Sequence, residues 1–517
     1  MFASLSLALF AFQAPSSGSL TELSWPARHS EAILGEHLIG IIQRHTIALD
    51  YGVLLAEAQG GQLSLSAFLA PNLNVILDFE TRKKTKKGFV WQGSTRGDGT
   101  GSATLAVIED KVAGSIRYKS RVFRLAFAGG GLHYVAELNL NQPPKCESKK
   151  PSISPDFELT VNRSSQSSNS TVIDVLVVYT PEAVAELGDV NATEAAIDLC
   201  VSETNQAYIN SDISLQLNLL GPVELAGAES GSTGASGNQL QNFRQNSNAQ
   251  ALRRQWGADC MVLLRSAGTG GYQNGYICGV AYIMPENTPS SAKWSWCWFD
   301  TSCTTGWNVF GHELGHVMGC LHDYENGGDG NWGIDPYSRG WRTPGEEYRT
   351  IMAYPPGVPL LYFSNPYKTM AGLELGVVDW AENWRTINST GPTISDYRDS
   401  GNTPFAMTPP GNGVLQRGVT VRFEATSANA GEDVWFLASP NPGTDLFPPR
   451  LGGLNLDLNH PVTMVGPAVV NSSNLASFDF FLPPHLPTIT VYMQAVMRLG
   501  VAGSESKKTR VVLAEIH

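Results

Sequence analysis

Short runs in which apolar and polar residues alternate fill the chain from residue 20 to residue 142. In one of them, Phe123, Leu125 and Phe127 are separated by Arg124 and Ala126. A period of two is typical of β-strands that bury one face, and glycine-rich breaks separate the runs. The pattern predicts a β-rich domain over residues 20–142.

The composition then changes. Residues 143–171 are rich in Pro, Ser and Lys, as in an exposed linker. Residues 172–179 form a near-continuous apolar run, of the kind found in strands that are covered on both faces. Thr180 and Pro181 then fit the N-cap and the first position of a helix.

Predicted strands and helices alternate in the central part of the chain. Strands are predicted over residues 213–219 and 260–264, with a helix over residues 238–255 between them. This alternation predicts an α/β layer structure over residues 172–398. Short β runs separated by Pro, Gly and Asn return in residues 399–517, and their spacing predicts a C-terminal β-sandwich.

The chain has 517 residues and a formal net charge of −12. This length suits about three domains, and the acidity argues against a nucleic-acid or anionic-membrane partner. An apolar run over residues 1–14 ends in small residues and is too short to span a bilayer. We therefore expect a secreted, extracellular protein with a signal peptide over residues 1–19. The basic run over residues 82–87 predicts a solvated loop.

The seven cysteines divide into Cys146 and a group of six that extends from Cys200 to Cys320. Six is an even number and suits three disulfides in an oxidising compartment, although the sequence does not give their pairing. Cys146 is the cysteine left over.

The segment GHELGHVMGCLHD, residues 311–323, carries the candidate chemistry. His312 and His316 are four residues apart, so on a helix both imidazoles project from one face and can bind one metal ion. Glu313 lies beside the first of them, where its carboxylate can reach a water on that ion.

Gly319 can end this helix, because glycine tolerates the left-handed backbone conformation. The chain can then turn back and bring His322 to the same ion. Three neutral histidines with an open fourth position describe a catalytic zinc site. The alternative, ordinary helix histidines, is disfavoured because the first two lie opposite the apolar face that carries Phe310 and Leu314.

The motif HExxHxxGxxHD resembles the zinc signature of the metzincin metallopeptidases, and Asp323 after the third histidine is like the reprolysin (adamalysin) branch. The stretch TIMAY, residues 350–354, is similar to the methionine turn of these enzymes and places Met352 beneath the metal. The stretches IDVLVVYTPEA, CGVAY and FSNP look most like secreted bacterial reprolysin-like peptidases, near the peptidyl-Asp metallopeptidases. The resemblance covers roughly residues 172–398 and implies an α/β (α+β) catalytic domain with a mixed sheet and an active-site helix.

The resemblance also implies a mechanism, in which a zinc-activated water hydrolyses peptide bonds of extracellular proteins. His312, His316 and His322 would hold one Zn2+, and Glu313 would be the general base. Tyr354 lies where some metzincins place a tyrosine that ligates zinc or steadies the oxyanion. Reprolysins generally lack that tyrosine, and buried tyrosine is commonly structural.

Cys146 lies in the sequence Pro-Pro-Lys-Cys, ahead of the six-cysteine unit. A thiolate is a good fourth zinc ligand, and the resemblance suggests a cysteine-switch propeptide over residues 20–142 that is released by cleavage near Lys149-Lys150. The residues after Cys146 depart from the pattern of known switches. A free surface cysteine or an extra disulfide partner therefore stays open.

Two other functions stay open at this point: a secreted recognition or adhesion protein with a non-catalytic metal site, and a zinc amidase acting on peptidoglycan peptides. The expected partners are protein or peptide substrates, with no nucleic acid and no membrane, and no oligomeric state follows from the sequence. The Gly- and Asp-rich loop around Asp329 could bind Ca2+, although its composition is equally that of a plain turn.

Overall fold

The structure is a computed structural model that describes residues 21–27, 40–55, 63–97, 99–141, 145–151, 171–229, 236–268, 277–326, 333–397, 406–408, 410–426, 431–446, 451, 456–471, 475–498, 506–509 and 511–517. The predicted signal peptide, most of the predicted linker and the loop around Asp329 lie outside these residues. Within them, no helix is both long and apolar enough to cross a bilayer.

The N-terminal region is a closed barrel of nine strands in the order β1-β2-β9-β8-β7-β6-β5-β4-β3. Large apolar side chains, among them Trp91, Phe123 and Leu125, fill its interior. The strands are β1 Thr21–Pro26, β2 Ile41–Leu49, β3 Ser64–Ala70, β4 Leu73–Lys84, β5 Phe89–Thr95, β6 Ser102–Ile108, β7 Lys111–Tyr118, β8 Arg121–Gly129 and β9 Leu132–Leu138.

The central region contains a six-stranded mixed sheet, which agrees with the implied α/β class. Its order is β10-β14-β15-β13-β11-β12, and every neighbouring pair is parallel except β14 with β15. The strands are β10 Lys145–Lys149, β11 Thr171–Tyr179, β12 Leu215–Glu224, β13 Cys260–Arg265, β14 Ile277–Tyr282 and β15 Trp296–Asp300. The helices are α1 Pro181–Leu187, α2 Val190–Asn210, α3 Ser236–Gln245, α4 Ser247–Trp256 and α5 Val309–Val317.

Two short strand pairs and one helix complete the central region: β16 Tyr348–Arg349, β17 Val358–Pro359, β18 Asn365–Met370, β19 Leu373–Leu375 and α6 Asn383–Ser395. The predicted strand over residues 172–179 is β11. Thr180 caps α1 as predicted, because its side chain accepts a hydrogen bond from the amide of Ala183 at 3.1 Å. The prediction of a single helix over residues 238–255 is wrong in one respect, because the structure has two helices there, α3 and α4.

Helix α2, with 21 residues, was not predicted. Ala195, Ala196 and Leu199 pack against the barrel strands, whereas Ile197 and Val201 belong to the core of the central region. Because the helix is buried on two sides, it lacks the single apolar stripe by which an amphipathic helix is detected.

The central region covers part of the outer face of the barrel. Arg124 in β8, predicted to face solvent, is only 6% exposed. Its guanidinium donates hydrogen bonds to the carbonyl oxygens of Thr301 (3.1 Å) and Ser302 (2.7 Å). The half-buried pattern expected for this strand is therefore corrected, since the central region covers its polar face.

The predicted linker begins with a paired strand instead of an exposed coil. Strand β10 pairs in parallel with β14 and brings Cys146 opposite Gly279. The basic residues of the run over residues 82–87 are exposed, as predicted, but residues 82–84 belong to strand β4 and do not form a loop. Lys87 forms an ion pair with Glu194 of α2 at 2.7 Å.

The expectation of three disulfides is wrong. Cys278 and Cys303 form one disulfide, with Cα atoms 6.0 Å apart. The other four cysteines of the group are buried free thiols in the apolar core, where they pack as small hydrophobic side chains: Cys200, Cys260, Cys297 and Cys320. Burial raises the pKa of each of these thiols.

The C-terminal region is all β among its described residues. A three-stranded sheet (β20-β22-β27) and a six-stranded sheet (β21-β30-β28-β23-β26, with β29 on β28) contribute to one apolar core, and β24 pairs with β25. The strands are β20 Ala406–Thr408, β21 Val414–Leu415, β22 Thr420–Thr426, β23 Asp433–Ser439, β24 Asn441–Leu446, β25 Leu456–Asn459, β26 Thr463–Val469, β27 Leu475–Phe481, β28 Ile489–Arg498, β29 Lys507–Lys508 and β30 Val512–Ile516.

Candidate active site

Helix α5 carries His312, Glu313 and His316 and is buried along its whole length. Gly319 follows the helix with a φ of +88°, the left-handed conformation that glycine adopts without strain. The amide of Gly319 bonds to the carbonyl of His316 at 2.8 Å. The chain then reverses, as predicted, and brings His322 to the two imidazoles.

The Nε2 atoms of the three histidines meet. That of His322 is 3.0 Å from Nε2 of His316 and 3.1 Å from Nε2 of His312. Nitrogens that each lie about 2.0–2.1 Å from one zinc ion in a tetrahedral site would be about 3.3 Å apart. The three predicted histidines therefore lie where one ion could be held.

Backbone carbonyls orient two of the imidazoles. Nδ1 of His312 donates to the carbonyl of Ile351, and Nδ1 of His316 donates to that of Cys320, both at 2.8 Å. In a neutral imidazole this bond leaves the Nε2 lone pair free. Burial, followed by the neighbouring imidazoles, lowers the pKa of His312 to about 3 and the pKa values of His316 and His322 well below 6.5. The cluster is neutral, which is the protonation state that binds metal.

Glu313 is buried beside this cluster. Both of its carboxylate oxygens accept no hydrogen bond from the described residues. Gly279 in β14 lies against them, since a Cβ at that position would be 2.3 Å from Oε1 of Glu313. Burial raises the pKa of this carboxyl well above its ordinary value, and the nearby Cys146 offsets part of that rise. An unsatisfied buried carboxylate is costly and marks a position where an outside group can bind.

A turn containing Met352 lies beneath the histidines. A Cβ on Gly315 of α5 would be 2.5 Å from Sδ of Met352, so the two elements touch at this glycine. Asp323, directly after the third histidine, accepts a hydrogen bond from the amide of Tyr354 at 2.9 Å. This carboxylate ties the segment of His322 to the turn.

Cys146 in β10 reaches the same cluster. Its Sγ lies 2.8 Å from Nε2 of His312, 3.0 Å from that of His322 and 3.6 Å from that of His316. The hydroxyl of Tyr354 accepts a hydrogen bond from the amide of Cys146 at 2.7 Å and lies 3.1 Å from its Sγ. One sulfur and three nitrogens thus lie within 4.8 Å of one another.

This donor set fits zinc. A thiolate and neutral imidazoles are ligands that zinc prefers, and the unsatisfied carboxylate of Glu313 lies beside them. The loop around Asp329, considered for Ca2+, lies outside the described residues.

Two contributors to the site were not predicted from the sequence. Gly279 lies in the CGVAY stretch, where a glycine inside a strand signals the close approach of another group. Arg349, in β16, shares a cavity of about 40 Å³ with Cys146, His312 and Tyr354. No sequence signal distinguishes this arginine from the chain's other basic residues.

Comparison with known proteins identifies relatives of the chain. Residues 169–364 match Reprolysin_5, a family of metallo-peptidase family M12. A protein named peptidyl-Asp metalloendopeptidase from Xanthomonas campestris pv. campestris is 31% identical over 315 residues, which are 58% of this chain and 71% of the relative. A protein of the same name from Stenotrophomonas maltophilia is 29% identical over 427 residues, 76% of this chain and 96% of the relative.

The solved structure of metalloproteinase-II from Bacteroides fragilis superposes with a TM-score of 0.35 at 12% identity, covering 53% of this chain and 84% of that one. This superposition is too loose to add to the sequence relationship.

Proposed function

The chain belongs to metallopeptidase family M12 and is a zinc metalloendopeptidase, and from this premise we propose that it is secreted as a latent precursor in which Cys146 blocks the metal site. The proposal includes a signal peptide over residues 1–19, a prodomain formed by the barrel and a C-terminal β-sandwich as an accessory domain. The apolar run at residues 1–14 and the core shared by the two C-terminal sheets support these parts.

His312, His316 and His322 would hold the zinc ion through their Nε2 atoms. When bound, zinc supplies a Lewis acid that polarises the scissile carbonyl and acidifies the attacking water. The carbonyl groups of Ile351 and Cys320 keep two of the rings in the orientation that points Nε2 into the cluster.

Glu313 would be the general base. Its carboxylate would take a proton from the attacking water and pass it to the nitrogen of the departing amine, a role generally worth about 10²- to 10⁴-fold in rate. The support is that neither oxygen of Glu313 accepts a hydrogen bond within the described chain, and that Gly279 leaves them space beside the histidines.

Tyr354 would stabilise the oxyanion once Cys146 has left. In the precursor its hydroxyl bonds to the backbone and lies beside the sulfur of Cys146, at the edge of the histidine cluster. Removal of that segment would free the hydroxyl to donate to the carbonyl oxygen that gains negative charge.

The observation that carries the latency proposal is the convergence of four donor atoms, the Sγ of Cys146 and the three Nε2 atoms, within 4.8 Å. A thiolate in the fourth position leaves no place for the attacking water. Strand β10 holds the sulfur there by pairing with β14. Activation would then require cleavage after β10, near Lys149-Lys150, and departure of the strand.

Two measurements test the catalytic part. Purified, processed protein should contain about one zinc ion per chain, and a chelator should abolish its hydrolysis of casein. The Glu313→Gln variant should keep its zinc and lose activity. Digestion of peptidoglycan in parallel separates an endopeptidase from an amidase: cell-wall digestion without casein digestion would contradict this proposal.

The proposed block of the metal site by the Cys146 thiol, here called the latch, is tested in the unprocessed chain. Cys146→Ser should allow hydrolysis of a small peptide before any cleavage of the chain, because serine is a poor zinc ligand compared with a thiolate. Ser148→Ala on the same strand is the matched control and should remain latent. If a zinc-loaded Cys146→Ser chain is as inactive as its parent, the thiol is not the latch.

The substrates would be extracellular proteins or peptides. Both relatives described above are named for aspartate, and we extend that name to this chain as cleavage next to aspartate residues. Mass spectrometry of the peptides released from casein would show whether aspartate adjoins the cleaved bonds.

A further inference from the structure

Arg349 is a buried arginine with no carboxylate at ion-pair distance among the described residues, although the Asp323 carboxylate attracts it and opposes the effect of burial on its pKa. It is 4% exposed, and its Nη1 donates one hydrogen bond, to the carbonyl of Gly357 at 2.6 Å. The nearby carboxylate of Asp323 is already engaged by the amide of Tyr354 at 2.9 Å and by Arg342 at 3.6 Å. Within the described ranges, Arg349 therefore forms no ion pair.

An unpaired buried charge needs a reason. Burial lowers the pKa of Arg349 to about 10, so the guanidinium remains charged at neutral pH. A guanidinium buried with a single backbone carbonyl as partner is unfavourable compared with one that also meets a carboxylate. A negatively charged group that binds there from outside the chain would offset this unfavourable burial.

A cavity lies beside Arg349. Its volume is about 40 Å³ while Lys145 and Cys146 line it, which corresponds to roughly three water-sized groups. Its lining joins Arg349 to His312 and Tyr354, so a group in the cavity lies directly beside the histidine cluster. No carboxylate lines it, and Lys145, the other basic residue in the lining, belongs to the strand that would leave on activation.

We propose that Arg349 determines substrate specificity by binding the carboxylate of an aspartate side chain next to the scissile bond. The inference rests on the proposed function, because the cavity opens to substrate only when Cys146 and its strand have left. The planar guanidinium can give a carboxylate two parallel hydrogen bonds.

The experiment uses a pair of peptides that differ only by Asp or Asn beside the cleaved bond. Enzyme is produced by expressing the full chain and allowing it to process. Charged hydrogen bonds of this kind suggest a preference for Asp of about 10- to 100-fold in kcat/KM. Arg349→Gln should abolish that preference, so that the ratio of kcat/KM for the two peptides falls to about one, whereas Arg349→Lys should retain part of it.

Arg385→Gln is the matched control. This arginine in α6 is paired with Asp379 at 2.9 Å on the surface, and its loss should leave the preference unchanged. Retention of the Asp preference in Arg349→Gln would overturn the inference, as would a wild-type enzyme that cleaves both peptides equally well.

A binding measurement separates this inference from the proposed function. In the Glu313→Gln background, after an added protease has cut the chain behind β10, fluorescence anisotropy of the labelled peptides should show tighter binding of the Asp peptide, and addition of Arg349→Gln should remove the difference. If the processed wild type cleaves no peptide, the proposed function fails, and the binding comparison still decides the role of Arg349. Equal affinity for the two peptides would overturn that role.

Discussion

Buried polar groups are treated differently in two neighbouring regions of the molecule. Where the barrel meets the central region, the terminal guanidinium nitrogens of two buried arginines are paired, whereas the Nε atoms of Arg117 and Arg124 have no hydrogen-bond partner among the described residues. Arg117 of the barrel donates to Glu203 of α2 at 2.9 Å and to Asn308 at 3.0 Å, and Arg124 donates to backbone carbonyls such as that of Ser302.

Around the histidine cluster, only a few residues away along α5, buried polar groups are left incomplete. Both oxygens of Glu313 lack a donor among the described residues, and Arg349 lacks an ion-pair partner there. The three histidines present neutral nitrogens to one another and to a thiol.

Burial therefore has opposite consequences for paired and unpaired polar groups. A paired buried charge contributes to the specificity of an interface, and removal of one partner is costly. An unpaired buried charge destabilises the folded chain, and a ligand or a reacting group that binds to it can offset that destabilisation. If this interpretation is right, substitutions at paired positions should lower stability, and substitutions at unpaired positions should lower activity without loss of stability.

The largest expected effect is that of Glu313→Gln on activity. Loss of the base should lower kcat about 10²- to 10⁴-fold, while the free energy of unfolding stays the same or rises, because a neutral amide is cheaper to bury than a carboxylate. Peptide hydrolysis by the processed enzyme and urea unfolding of the full chain measure the two quantities. An equal loss of activity and stability would show that Glu313 is a structural residue like Glu203.

The next largest effect should come from Glu203→Ala in the full chain. It leaves Arg117 buried without its carboxylate and should lower the free energy of unfolding by about 3–5 kcal/mol. Urea unfolding monitored by tryptophan fluorescence measures this. The double variant Arg117→Met with Glu203→Leu should recover most of the loss, because apolar side chains can replace a buried pair. A loss below about 1 kcal/mol in the single variant would contradict the contrast.

A smaller effect is expected for Gly279→Ala. The added methyl group would lie 2.3 Å from Oε1 of Glu313, so the carboxylate must move. Misplacement of a catalytic group by about 1 Å can cost up to about 100-fold, and we expect kcat to fall about 10- to 100-fold. Gly221→Ala is the control and should keep its activity, because the nearest atom to its Cβ would be on the ring edge of Trp256 at 3.2 Å.

The smallest effect is expected where the barrel's pairing reaches solvent. The side chain of Lys87 is 53% exposed although that of Glu194 is 4% exposed. Exposed pairs contribute about 0–1 kcal/mol, so Lys87→Ala should change the free energy of unfolding by no more than that. A loss above about 2 kcal/mol would contradict the distinction between ion pairs in the protein interior and ion pairs at the solvent-exposed edge of the barrel.

Much of the local structure followed from the sequence. The apolar run of β11, the cap at Thr180 and the turn at Gly319 are each determined by a few consecutive residues, and the structure contains them. Short sequence patterns did not predict the burial of elements that pack against two neighbouring parts of the fold. Helix α2 and the polar face of β8 are buried from both sides, so their residues do not show the periodicity of a surface element.

Two close contacts at the active site also could not be predicted from short sequence patterns. The spacing of His312 and His316 on α5 follows from helical geometry. The position of Cys146, 166 residues from His312 in sequence, depends on the pairing of β10 with β14. The space beside Glu313 depends on a glycine in a different strand.

The zinc motif, its helix and the α/β class of the central region could be predicted from the sequence, because these depend on residue type and on spacing within one turn or strand. The thiol that meets the histidines, the cysteines that pair and the arginine beside the cluster became known only from the folded chain. Those outcomes depend on strand register and on packing between segments that are far apart in sequence, and neither is encoded in the local pattern.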